Sequence, residues 1–332
     1  MSGNDGGPSI FSPLPFFPLP QPHETVYSLI ARFLHRYSVE KVELAKLILG
    51  ATPKYLSSLK NIQALSDLMP DGHPWQHPKN IIARHTAINY LTYFHSKESR
   101  AKLWNAISIG DFTSWLPLGF YMLGSARYCP VCAKEQIKAY GFSWFLVEHQ
   151  LPGVVLCWKH GGQLFEGCRK CGSYPIKELP MMPGQCLCVN GITPQPVYEI
   201  EAETLHFFKW IASESADLLS RKSLAGKVLD KVLTDFSLFS GKEEKKRFER
   251  DVTKKLAQCF GEITHENLRL GDSVLDKLRY LTIRQRIPRL WDDLSYEFFQ
   301  CGSRQQHPLK VLLIVRALSG GIKDSKNEIH AI

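Results

Sequence analysis

Residues 128–188 read YCPVCAKEQIKAYGFSWFLVEHQLPGVVLCWKHGGQLFEGCRKCGSYPIKELPMMPGQCLC, and this stretch decides the fold. Cys129 and Cys132 stand two residues apart, Cys157 and His160 repeat that spacing, and Cys168 and Cys171 repeat it again, with Cys186 and Cys188 close behind. Zinc ligands come in such close pairs because a tight turn lets two side chains converge on one ion. Seven of the nine cysteines fall in this stretch, and with His160 they fill two sets of four. The expectation is two structural zinc sites, Cys129, Cys132, Cys157 and His160 in one, and Cys168, Cys171, Cys186 and Cys188 in the other. Gly161, Gly162 and Gly172 sit just beyond the pairs, where a turn often needs positive φ.

The competing readings are disulfides or buried thiols that act as small hydrophobes; Cys259 and Cys301, outside the stretch, read as core thiols. A catalytic zinc would keep a position open for water, whereas both sets close with four protein ligands. The deaminase pattern is absent, since Pro130 follows Cys129 instead of preceding it. The metal therefore reads as structural, with each ion contributing on the order of 10 kcal/mol to the folding of its small module.

The whole chain has 332 residues, 44% of them hydrophobic, which suits two or three globular domains. No apolar run reaches the length of a membrane span, and no basic region precedes a hydrophobic one at the N-terminus. With cysteines of metal-binding type, the expected compartment is the cytoplasm. A formal net charge of +9 points toward polyanionic partners such as DNA or RNA.

Residues 1–22 form a Gly-rich and then Pro-rich arm whose Phe11, Phe16 and Phe17 either dock on another surface or pack across their own domain. From Glu24, Val26, Leu29, Ile30, Phe33, Leu34 and Tyr37 recur at helical spacing. Ser38 caps a second helix through Leu49, and Gly50, Ala51 and Thr52 turn into a third that starts at Pro53. The pattern predicts a helix-turn-helix, with Lys54 and Lys60 as candidate nucleic-acid contacts on its third segment; the bland reading is a helical bundle with a polar face. NIIARHTAINYLTYF, residues 80–94, predicts one strong helix, in which His85 packs and does no chemistry. Beyond a turn-rich linker, Leu205–Leu219 is helical, and 241–260 is amphipathic with a stripe at Phe248, Val252, Leu256 and Phe260. Arg279, Arg284, Arg286 and Arg289 make a basic cluster. His307 and Pro308 start a last helix, within a second helix-turn-helix between Leu290 and Leu318 that would present Arg304 and Lys310 at its entry.

With these parts in place, the chain resembles the TniQ/TnsD family of transposition target-selection proteins. The resemblance rests on PLPQPHETVYSLIARFLHRYS, on IARHTAINYLTYF, and above all on RYCPVCAKEQIKAYGFSWFLVEHQLPGVVLCWKHGGQL; a weaker similarity ends at SRQQHPLKVLLIVRAL. It implies a non-enzymatic adaptor that links a target-marking complex, a CRISPR effector such as Cascade or target DNA itself, to the AAA+ ATPase regulator TnsC, so that transposase integrates nearby. A homodimer is plausible on the same ground. Fixed-site selectors of the family are often longer, so the length favours a short, guide-RNA-directed, CRISPR-associated form, although a piece of a longer protein would look the same. The rivals are a DNA-binding protein that selects its own attachment site and a zinc-dependent nuclease, for which no constellation of carboxylates or histidines is visible. The fold expected is mostly α, in three parts. A helix-turn-helix domain (23–125) follows the arm, a double zinc ribbon (126–190) and a linker (191–204) come next, and a helical domain (205–322) precedes the tail (323–332).

Overall fold

Val26, Leu29, Ile30, Phe33 and Leu34 share one helical face, and their withdrawal from water drives formation of helix α1 (Val26–Arg36). The Thr25 hydroxyl accepts from the Ser28 N–H (3.1 Å) at its start, and Arg36 places a cation at its C-terminal, negative end. The computed structural model describes residues 14–36, 59–108, 126–173, 175, 181–186, 188, 191–198, 200–223, 225–227, 230, 234, 241–260 and 307–318. In chain order the further helices are α2 (Leu59–Asp67), α3 (Pro78–His85), α4 (Ile88–Leu91), α5 (Lys97–Ser108), α6 (Pro130–Tyr140), α7 (Leu205–Leu219), α8 (Lys242–Phe260) and α9 (Pro308–Leu318). Strands β1 (Phe165–Cys168) and β2 (Pro194–Pro196) pair in a two-stranded sheet. The protein is mostly helical, as the sequence pattern predicts. Among the described residues, no helix is long and apolar enough to cross a membrane.

The described residues fall into two compact units. The first comprises Met1–Thr86, Leu103–Val147 and Phe165–Gln195; the second comprises Ala87–Lys102, Glu148–Leu164 and Pro196–Ile332.

In the first unit the described part of the N-terminal arm, from Leu14 on, packs on its own domain. Leu14 donates its N–H to the Leu68 carbonyl (2.9 Å), and the buried Phe17 ring sits 4.8 Å from Phe33 and edge-on to His73 at 5.6 Å. Phe16 stays partly exposed beneath Arg36, whose guanidinium carbon is 5.0 Å from the ring centre. The loop after α2 turns at Gly72 (φ 76°), and the His73 ring then accepts from the Trp75 N–H (3.1 Å), which seats the Trp75 indole in the core. Just before α1, the buried Glu24 carboxylate takes a 2.7 Å hydrogen bond from Arg32 on that helix. Burial pushes that carboxyl up to about 7, with Arg32 pulling the other way.

The single helix predicted over 80–94 is two. Thr86 adopts extended backbone (φ −133°, ψ 170°) and ends α3, while its hydroxyl takes the Ile82 carbonyl at 2.6 Å. A β-branched residue with a hydroxyl offers the last turn's carbonyl a side-chain partner in place of the next backbone N–H, which favours termination. His85 immediately before it packs as expected: its ring lies 5.1 Å from Trp75, and Nδ1 is 2.7 Å from the Glu24 carbonyl.

In the second unit α4 packs against α7, and α8 against α9. Phe207, Phe208, Ile211 and Leu218 fill the inner face of α7, and of the stripe read on α8, Val252 and Leu256 are buried and Phe248 is half-buried. Helix α9 begins at Pro308 as read, with the His307 ring accepting from the Leu309 N–H (3.2 Å). Arg316 stacks over Trp210 at 5.3 Å. Residues 38–58, with the first predicted helix-turn-helix junction, and 279–306, with most of the second, lie outside the described residues.

Burial pushes the His85 imidazole down to about 4, so it stays neutral in the folded chain while the unfolded chain takes up a proton below about 6.5. A base with a depressed folded pKa gives stability that is full above about 6.5 and is lost as pH falls toward 4. Chemical denaturation at about pH 5 should therefore show roughly 2 kcal/mol less stability from this group than at about pH 7.5. The variant His85→Gln should flatten that part of the pH dependence.

Candidate metal centre

Cys129 and Cys132 are positioned by the start of α6. Cys129 is the extended N-cap residue (φ −100°, ψ 126°), Pro130 occupies the first helical position, and the Ala133 N–H donates to the Cys129 carbonyl at 3.0 Å. Both sulfurs thus lie in the first turn, where the positive end of the helix favours thiolate. The preceding residue, Tyr128, pairs antiparallel with Phe165 through two backbone hydrogen bonds of 3.0 and 2.8 Å. Helix α6 stops at Gly141 (φ 81°), and Gln136 on its buried side accepts from the Trp144 N–H at 3.0 Å.

Cys157 and His160 belong to a turn closed by its own main chain. The Gly161 N–H reaches the Cys157 carbonyl (2.7 Å), and the Cys157 N–H reaches the Gly162 carbonyl (2.8 Å). Gly161 takes φ 65°, a conformation that costs a side-chain-bearing residue roughly 1–2 kcal/mol. Cys168 and Cys171 repeat this design residue for residue. The Gly172 N–H donates to Cys168 (2.9 Å), Cys168 donates to Ser173 (2.9 Å), and Gly172 again takes φ 65°. Of the three glycines singled out by sequence, Gly161 and Gly172 need positive φ, and Gly162 does not.

The ligating atoms of Cys129, Cys132, Cys157 and His160 all lie within 4.8 Å of one another, and so do those of Cys168, Cys171, Cys186 and Cys188. Around a tetrahedral zinc with Zn–S near 2.3 Å, neighbouring sulfurs are about 3.8 Å apart, and a sulfur and an imidazole nitrogen about 3.6 Å. The Cys168 and Cys188 sulfurs are 3.7 Å apart, and the Cys157 sulfur is 3.5 Å from His160 Nδ1. These spacings are far beyond a disulfide bond, and the cysteines are free. Both donor sets fit zinc, closed by four protein ligands each.

The two sets differ in their surroundings. Cys129, Cys132 and Cys157 are buried, whereas Cys171 is exposed and Cys186 and Cys188 are partly so. In the second set the Ser173 hydroxyl, 2.9 Å from the Cys171 sulfur, pulls that thiol down to about 6. Cys188 is pushed up to about 12, first by its contact with Cys171 and then by burial and its other neighbours. The Thr193 N–H also points at Cys168 (3.3 Å), and Arg169 donates its N–H to the Thr193 carbonyl (2.9 Å), where β1 meets β2. Residues read as a linker from 191 onward thus carry a strand that backs the second set. Ser173 and Thr193 were invisible to ligand spacing because they contribute a hydroxyl and a main-chain N–H.

Arg127, buried beside Glu166, was also missed; burial lowers its guanidinium to about 9 and Glu166 counters. The candidate nucleic-acid contacts Lys54, Arg284, Arg286 and Arg304 lie outside the described residues. Lys60 falls on α2, and Lys310 is buried in the first turn of α9.

The fold and site define a mostly helical protein with two Cys/His sets that fit zinc. The family model described as TniQ matches residues 15–164, so that this segment of the chain is similar to the TniQ family. The matched segment includes Cys129, Cys132, Cys157 and His160 and ends before Cys168. No curated protein matches the chain.

Metal analysis of the purified protein is expected to return about two zinc ions per chain, one for each four-ligand set. Cys157→Ser should lower that to about one and unfold the region around it, read by limited proteolysis. Cys186→Ser should also remove one ion while leaving the first set loaded.

Proposed function

We propose that this chain is a target-selection adaptor of transposition that acts by binding alone. The similarity of residues 15–164 to the TniQ family, whose members are non-catalytic proteins of transposition target selection, supports this reading. The observation that supports the adaptor reading best is that the matched segment holds one complete ligand set, closed by four protein side chains and so without an open position for substrate or water.

In this reading zinc is structural at both sets, and the protein links a target-marking complex, a CRISPR effector such as Cascade or the target DNA, to the AAA+ ATPase regulator TnsC. Rate acceleration is not required of it; two binding surfaces are, each held in shape by its local elements. When bound, zinc supplies charge compensation for the thiolates and geometric closure of the turns.

The test is copurification of the tagged full chain with candidate Cascade and TnsC, together with its shift of labelled DNA carrying the presumed attachment site, at physiological salt. Stable association with both proteins and only weak, salt-sensitive DNA binding is the expected result. A shift specific for one duplex by roughly a thousandfold over other sequences, with no Cascade bound, would instead make it a selector that reads its own site.

A further inference from the structure

Trp158 stands at the tip of the Cys157–His160 turn, 49% exposed, and no ring stacks on it among the described residues. Lys159 follows it on the surface. On α7, Lys209 runs alongside the turn: its Cε lies 3.5 Å from where a Cβ on Gly161 would stand. Lys209 is exposed and has no carboxylate partner among the described residues, and His206, one turn earlier, is exposed as well.

Trp158 thus keeps about half of its surface in water on the turn that the exposed Lys209 flanks. The turn that carries it is rigid, because Cys157, Gly161 and Gly162 lock its main chain together. An indole fixed in this way loses little freedom when something stacks on it. We propose that the tip is a binding site for single-stranded nucleic acid, one base stacking on the Trp158 indole and the adjoining phosphate meeting the Lys209 ammonium.

Every nucleobase offers a π-face and every linkage a negative charge, so an aromatic plane beside a cation suits an unpaired strand. In a duplex both faces of each base are covered by its neighbours, and the tip would find phosphates only. The net charge of +9 brings such a polyanion to the protein from any direction. The inference goes beyond the adaptor reading and stands whether or not that reading holds.

The experiment uses the full-length protein and fluorescence anisotropy with labelled oligo-dT and oligo-U of about 12 nucleotides, and a duplex of the same length. Wild type should prefer the single strands, and the DNA and RNA arms decide which sugar it favours. Trp158→Leu should weaken single-strand binding by roughly tenfold or more, and Trp158→Phe should restore most of it because a ring is back. Lys209→Ala should reduce the slope of log affinity against log salt by about 0.7, the share of one phosphate contact. Zinc content is measured on each variant; should Trp158→Leu lose metal, Lys209→Ala, which lies on another element, still decides the outcome. The proposal is overturned if Trp158→Leu and Lys209→Ala bind as wild type does, if Leu and Phe weaken binding equally, or if the duplex is preferred.

Discussion

Three or four thiolates within 4.8 Å of one another repel strongly unless a cation lies between them, and both ligand sets depend on that constraint. Without an ion, the Ser173 hydroxyl holds the Cys171 thiol down, and contact with Cys171 pushes Cys188 up. The elements around the sites are too short to persist alone. Helix α6 has 11 residues and β1 only four, and isolated helices under about 12–15 residues are marginal in water. A metal at each set would couple these fragments to something stronger than their own hydrogen bonds.

Much of this was legible in the sequence, for identifiable reasons. Ligand spacing is a local property, so Cys157 and His160, or Cys168 and Cys171, announce a turn wherever the chain places them. The apolar stripes of α1, α7 and α8 and the start of α9 at Pro308 follow from periodicity and from the rigid φ of proline, again local signals. His85 was readable as a packing residue because its neighbours at helical spacing are apolar, and Trp75 supplies the ring that it packs on.

What escaped was decided by contacts distant in sequence or by a single side chain's choice. The break at Thr86 hangs on one hydroxyl and its partner Ile82, within a run whose periodicity continues unbroken. Trp75 looks like a loop residue between prolines, yet it is fully buried because His73 and Phe17 close over it. The pairing of β1 with β2 joins residues more than 20 positions apart and leaves no trace in a Pro-rich segment that reads as a linker. The arm offered two readings of equal merit, and the burial of Phe17 against Phe33 favours packing on its own domain.

The turns at Cys157–Gly162 and Cys168–Ser173 close through main-chain groups, with a glycine at the same position in each. Only the ligands and that glycine are dictated by geometry. The two positions between the ligands, Trp158 and Lys159 in one turn and Arg169 and Lys170 in the other, face solvent in both. Ligation and the main-chain closure of the turns use none of these four side chains. Such a loop is a socket of constant shape whose displayed pair is free to drift, so what the surface recognises can be rewritten over generations while the framework beneath it stays the same.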